Sequence, residues 1–288
     1  MEKSIVLYLH YHPPLAWHAL ISFFCSRGSF RVEQLMANRY LRTIQLDDHT
    51  GWVAARQDTE HNQIVVEVSP SLSPYLSCLQ RRLHTLFDLD AEPAIIEAHL
   101  KNDKTLRQLI ANNSGLRVPR TLDAFELSLR AILGQQVTVK AATTLYSRFV
   151  TAFGKPVETP FPGLDRTAPV ADAIANAKLQ TIIDLGLTQR RALTIHQLAQ
   201  KIREGALDLE QENRTEILRQ LLELPGIGPW TAQYIAMRAL GDPNAIPESD
   251  LGLMRALQLK NPMEVRRRTE KWQPWRAYGA IYLWHHLT

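Results

Sequence analysis

The sequence predicts a mixed fold. An N-terminal α+β domain with an antiparallel sheet comes first, followed by an all-α helix–hairpin–helix body of two helical subdomains. Three observations carry this. Runs of β-branched and aromatic residues parted by turn residues are confined to the first third of the chain. From residue 93 onward the apolar period changes to 3.6 and stays there. Within that helical part, Leu224, Pro225, Gly226, Ile227 and Gly228 separate two apolar helical runs by a turn too short for anything but a hairpin. The 288 residues suit two or three domains, and 45% hydrophobic residues supply ample core.

In chain order, 5–11 reads as a strand and 15–26 as an apolar helix. Strands follow at 40–46, 51–56 and 63–68, the last carrying Ile64, Val65, Val66 and Val68. A helix over 71–88, capped by Ser71 or Ser73, closes the domain. Helices are then expected over 93–101, 104–112, 122–133, 139–153, 170–176, 179–185, 189–203, 214–224, 230–240, 251–259, 262–273 and 275–286, punctuated by Gly and Pro. The segment 154–169, with four prolines and two glycines, is the most loop-like stretch. The expected domains are 1–93, then 124–242 ending in the hairpin helices, then 94–123 joined by 243–288, with a cleft between the two helical parts.

Composition narrows the function classes. Two cysteines, Cys25 and Cys78, exclude a disulfide framework and a four-thiolate metal site, and so an iron–sulfur cluster held by cysteines alone. Apolar runs near the start are broken by His10, His12, Pro13 and Pro14, which is not the pattern of a secretory leader, and no run approaches a membrane span. The expectation is a cytoplasmic, nucleoid-associated protein without membrane contact. Net charge is only +4. Residues 1–115 hold 11 basic against 12 acidic side chains, whereas 253–288 holds Arg255, Lys260, Arg266, Arg267, Arg268, Lys271 and Arg276 against Glu264 and Glu270. Trp272, Trp275, Tyr278 and Trp284 share that basic stretch, a combination that points to nucleic acid. Arg266–Arg268 reads as a solvated helix face, with phosphate contact as the alternative.

The hairpin is the sharpest feature. Pro229 sits at the first position of the second helix, where a missing N–H costs nothing. Gly226 and Gly228 permit positive φ and close approach of another backbone. Free N–H groups of the hairpin and of the new helix, through Thr231, form an anion site suited to a DNA phosphate. The plainer reading is a tight helix–helix connection. Twenty residues beyond Trp230 stands Asp250, ahead of an apolar helical run, where it can serve as an N-cap.

At this spacing the chain resembles the helix–hairpin–helix DNA glycosylases, and more closely their alkylated-base branch, that of 3-methyladenine DNA glycosylase II. The likeness includes Gly115 to Pro119, Asp123 to Glu126, Arg130 to Gln135, the hairpin, Trp272 to Tyr278, and Trp284, so it covers most of 115–288. It implies that Asp250 is catalytic, a fixed negative charge beside an oxocarbenium-like sugar. It implies base flipping in damaged duplex DNA, with release of 3-methyladenine- or 7-methylguanine-type bases. Strand-cutting relatives carry a Lys directly after the hairpin. Trp230 stands there, which implies a monofunctional enzyme that leaves an abasic site. Trp230 and Tyr234, four apart on one helix face, would stack on a flipped cationic base, with Trp284 as a second wall by resemblance; the plainer reading makes these rings ordinary core.

Two departures mark this chain. The family's Leu wedge is replaced by Gln136, a polar plug for the gap, and the residue after the Asp, which can be Tyr, is Leu251. The resemblance also implies a structural Na+ or K+ on the backbone carbonyls of Leu222, Leu224 and Ile227, with no other cofactor, and a monomer. Rival readings are the same scaffold acting on deaminated or oxidised bases, and a non-catalytic DNA-binding module.

Overall fold

A computed structural model describes residues 4–287. Its N-terminal unit is a five-stranded antiparallel sheet in the order β1-β5-β4-β3-β2, from Ile5–His10 (β1), Glu33–Met36 (β2), Arg39–Leu46 (β3), His49–Asp58 (β4) and Gln63–Val68 (β5). Tyr40 pairs with Ala55 and Val53 with Val68, which puts alternate apolar residues on one face. That face buries Tyr40, Ile44, Val53, Ala55, Ile64 and Val66 against α1 (Trp17–Arg27) and α2 (Leu76–Leu86). Trp17, Phe24, Tyr40 and Phe87 interlock there at ring distances of 5.1 to 6.4 Å.

Two expectations fail here for physical reasons. Strand β2 is absent from the sequence reading because it buries Glu33 and Gln34, not apolar residues. The helix expected over 71–88 begins instead as a 3-10 turn, Pro70–Tyr75, and becomes α-helical only at Leu76. Pro74 has no N–H to continue the ladder. The Ser69 hydroxyl that precedes this turn accepts from the Trp52 amide and is not a helix cap.

The helical body comprises α3 (Pro93–Leu100), α4 (Lys104–Asn112), α5 (Ala124–Leu133), α6 (Val139–Phe153), α7 (Ala171–Ala175), α8 (Leu179–Asp184), α9 (Gln189–Arg203), α10 (Arg214–Glu223), α11 (Pro229–Arg238), α12 (Leu251–Leu257), α13 (Pro262–Thr269) and α14 (Arg276–His286). Side-chain caps fix several starts: Asp123 accepts from the Glu126 amide, Thr138 from Ala141, and Thr188 from Arg191. One continuous apolar cluster joins residues from Ile96 to Leu283 and takes in Val32 of the N-terminal unit. The loop 154–169 lies over the outer face of the sheet. Leu164 packs on Leu41 and Ala54, Phe161 meets Trp52 edge-on at 5.1 Å, and Asp165 pairs with Arg31 at 2.8 Å.

Sheet and body are joined by buried charge. Glu33 of β2 and Glu126 of α5 share Arg42 and Arg130. The Tyr40 hydroxyl donates to Glu33 and the Tyr146 hydroxyl to Glu126, both at 2.6 Å. Two carboxylates and two guanidiniums balance, so each buried charge has its counter-charge at hand. A second hub, Asp103, caps α4 and accepts from Arg268, from Lys271 at 3.1 Å and from the Trp272 indole at 2.9 Å, which ties the end of the chain to α4.

Candidate DNA-binding and active site

The hairpin forms because α10 ends at Leu224 in extended backbone and Gly226 takes φ +97°. A β-carbon at Gly226 would stand 2.1 Å from the Thr194 hydroxyl, which donates to the Pro225 carbonyl at 2.7 Å. Gly228 behaves differently. Its backbone is extended (φ −99°, ψ 177°), so the expected positive φ is not found there, and nothing lies within 4 Å of where its β-carbon would be. Gly226 is needed for the turn, whereas Gly228 leaves open space in front of it. Gly226→Ala should therefore destabilise the fold by about 1–3 kcal/mol, because a left-handed conformation and a close contact both oppose it. Gly228→Ala should leave thermal unfolding unchanged and weaken binding to duplex DNA. Melting curves and titrations of an abasic-analogue duplex check both expectations.

The amides of Gly226, Gly228, Trp230 and Thr231 make no hydrogen bond within the described residues. They cluster at the uncapped start of α11, a site of positive potential suited to a phosphate. The Thr231 side chain is buried and accepts from Gln135, so its amide alone faces outward. Gln135 Nε2 also donates to the Gly226 carbonyl at 2.9 Å, and Arg191 donates to the Gln135 carbonyl at 2.7 Å. These bonds hold the next residue, exposed Gln136 with φ +54°, against the hairpin. Sequence reasoning missed Arg191 and Thr194 and gave Gln135, part of the Arg130 to Gln135 motif, no role of its own, because their roles depend on contacts between segments remote in sequence. The Leu224 carbonyl accepts from the Ile227 amide at 3.0 Å, and Leu222 lies half exposed on α10. Among the described residues no group of three or more His, Cys, Asp or Glu side chains is placed to hold a metal ion.

Asp250 is the N-cap of α12, its Oδ1 accepting from the Leu253 amide at 2.9 Å. The same oxygen accepts from the Trp284 indole at 3.0 Å, and Oδ2 accepts from the Trp230 indole at 2.9 Å. Cap and candidate catalytic carboxylate are thus one group. Three N–H donors fix its orientation. Trp230 lies flat on Tyr234, 5.1 Å between ring centres and 11° between planes, and Trp284 is 6.1 Å from Tyr234 at 50°. The three rings form one cluster whose two indole N–H groups converge on the carboxylate. Leu251 stands at the rim, 75% exposed.

Four of the seven basic side chains of the C-terminal stretch are paired inside the molecule, sharing two carboxylates. Arg266 and Arg276 pair with Glu248, while Arg268 and Lys271 pair with Asp103. Arg255, Lys260 and Arg267 remain exposed without an acidic partner among the described residues. The expected phosphate-neutralising excess beside the cleft is therefore smaller than the sequence count. Trp272 is fully buried and Trp275 packs edge-on against Tyr278, as structural residues do.

A sheet domain, a helical body and a hairpin set beside an aromatic-lined carboxylate define a helix–hairpin–helix DNA repair architecture. Residues 6–123 match the AlkA N-terminal domain, and residues 129–274 match the HhH-GPD superfamily base excision DNA repair protein model. The chain belongs to the HhH-GPD superfamily of base excision DNA repair proteins. It is 30% identical over 278 residues to DNA-3-methyladenine glycosylase 2 of Escherichia coli K12, covering 96% of each. It is 35% identical over 289 residues to a bifunctional transcriptional activator/DNA repair enzyme AlkA of Mycobacterium tuberculosis H37Rv, covering 98% of this chain and 57% of that protein. The chain thus spans little more than half the length of that relative. The solved 3-methyladenine DNA glycosylase from Archaeoglobus fulgidus superposes with a TM-score of 0.86 at 25% identity, over 96% of this chain and 97% of the other. An 8-oxoguanine glycosylase/lyase from Clostridium acetobutylicum bound to DNA shares the fold at 17% identity and a TM-score of 0.76.

Proposed function

We propose that this protein is a monofunctional DNA glycosylase of base excision repair, hydrolysing the N-glycosidic bond of alkylated bases in duplex DNA. The observation that carries this reading is the Asp250 carboxylate held by the Trp230 and Trp284 indoles, twenty residues beyond a hairpin with unpaired amides. The likeness to named 3-methyladenine glycosylases over nearly the whole chain supports it. The helical body acts as two halves, 124–242 and 94–123 with 243–288, and the cleft between them admits the flipped nucleotide.

In this reading the hairpin amides, Thr231 included, grip a phosphate, and Gln136 enters the gap left by the base. A monovalent cation on the carbonyls of Leu222, Leu224 and Ile227 would stiffen the hairpin. The exposed faces of Trp230, Tyr234 and Trp284, with Leu251 at the rim, receive the base. A cationic N-methylpurine stacked on such rings gains about 0.5–2 kcal/mol over a neutral base. Asp250 stabilises positive charge developing on the sugar. The indole of Trp230 occupies the place of a Lys nucleophile, so no Schiff base forms by that route. The protein works as a monomer on damaged duplex DNA, in the cytoplasm and associated with the nucleoid.

The test is the profile of bases released from alkylated genomic DNA. Free 3-methyladenine and 7-methylguanine with intact abasic strands are expected, and no covalent adduct on borohydride treatment. A borohydride-trapped lysine complex, or no released base, sinks the proposal.

A further inference from the structure

Gly252 is the second residue of α12, two places beyond its cap Asp250. Inside a helix, glycine is less favourable than alanine because it loses more conformational freedom on folding. Its φ is not positive, so turn geometry does not call for a glycine here. The surroundings do. A β-carbon at Gly252 would stand 2.9 Å from Asp250 Oδ1, 3.5 Å from Trp284 Cδ1 and 3.6 Å from Leu287 Cδ1. It would project into the corner between α12 and the end of α14.

Two of those three neighbours belong to one hydrogen bond. Trp284 Nε1 donates to Asp250 Oδ1 at 3.0 Å, and Cδ1 is the ring carbon bonded to that nitrogen. An added methyl would press on the acceptor and stand beside the donor. Non-bonded atoms pack best about 3.5–4.0 Å apart, so a contact of 2.9 Å must relax. The backbone has little room to do so. The Leu253 amide donates to the same Oδ1 at 2.9 Å, and the Met254 amide to the Asp250 carbonyl at 2.9 Å. The member free to turn is the carboxylate, and turning it lengthens its bonds to Trp284 and to Trp230.

We propose that Gly252 is a positioning residue for base release. By lacking a side chain it lets the Asp250 carboxylate lie where both indoles reach it. The proposal rests on the glycosylase reading above. Gly252 acts through Asp250 and needs no contact with DNA. The helix gives up some stability so that the carboxylate keeps its place, a common exchange at functional sites. Misplacing a reacting group by about 1 Å can slow a reaction about 10²-fold, so a shift of a few tenths of an ångström should slow it about tenfold.

The experiment compares the full chain with Gly252→Ala. It measures single-turnover release of 7-methylguanine from a duplex, affinity for an abasic-analogue duplex, the melting temperature and the NMR resonance of the Trp284 indole N–H. Gly252→Ala should slow release about tenfold and leave affinity within about twofold. Its melting temperature should equal or exceed that of the unaltered chain, since alanine suits a helix better. The Trp284 indole proton should move upfield as its hydrogen bond weakens, which a merely structural role would not produce. In a Trp284→Phe background, where the donor is gone and the ring is smaller, Gly252→Ala should cost clearly less.

Release at the unaltered rate, an unmoved Trp284 resonance, a lowered melting temperature, lost DNA affinity, or an equal loss in both backgrounds overturns the proposal. An unaltered protein that releases no base overturns the glycosylase reading, and this proposal with it.

Discussion

Asp250→Asn should reduce single-turnover base release by about 10²–10³-fold or more while binding to an abasic-analogue duplex survives. That range is the usual cost of removing one preorganised charge-stabilising group. The geometry explains why the neutral isostere is a poor substitute. The carboxylate accepts three N–H groups, from Trp230, Trp284 and Leu253. An amide has one accepting oxygen, and its NH2 would face a donor. One indole N–H would lose its partner, at about 1–3 kcal/mol, in addition to the loss of negative charge beside the sugar. Base release at the rate of the unaltered protein would mean that Asp250 is only a helix cap, and a large loss of DNA affinity would mean that the substitution has damaged the fold of the cleft.

Glu126→Ala should destabilise the protein by about 3–5 kcal/mol, the cost of removing one partner of a buried ion pair. Glu126 is 1% exposed and faces Arg42, Arg130 and the Tyr146 hydroxyl; without it two buried guanidiniums would share the single carboxylate of Glu33, and the Tyr146 hydroxyl would lose its acceptor. Denaturant unfolding measures the change, and a loss under 1 kcal/mol would show that the network is solvated or redundant. The pH dependence has a definite sign. Burial would raise the Glu126 pKa, but Arg42 and Arg130 outweigh it and hold it below the ordinary value. Its contribution to stability is therefore present above the unfolded-state value of about 4.3 and is lost as pH falls through the depressed folded value. Glu126→Ala should show a smaller acid-induced loss of stability than the unaltered chain.

Much of the fold was legible because its signals are local. The 3.6-residue period from residue 93 marked the helices to within a turn, and Asp123, Thr138 and Thr188 cap starts as short polar residues before apolar runs do. Strand β2 was illegible because its inward residues are Glu33 and Gln34, buried for their partners and not for their apolarity. The candidate residues Trp230, Tyr234 and Asp250 stood out by type and spacing, and Trp284 by resemblance. Their arrangement did not, since nothing in the spacing says that both indoles donate to the carboxylate or that Trp230 lies flat on Tyr234.

The sequence alone determined the order of sheet and helices, the hairpin and its phosphate-suited amides, and the absence of a Lys after it, because each depends on residues adjacent in the chain. Only the tertiary structure decided where charge is spent. Four cations of the C-terminal basic run that looked like a DNA face are paired with Glu248 and Asp103, whereas the buried Arg238, inconspicuous in sequence, donates to the Tyr234 hydroxyl with no acidic partner among the described residues. Charge compensation acts through space over a few ångströms, and folding, not sequence order, sets which charges are neighbours.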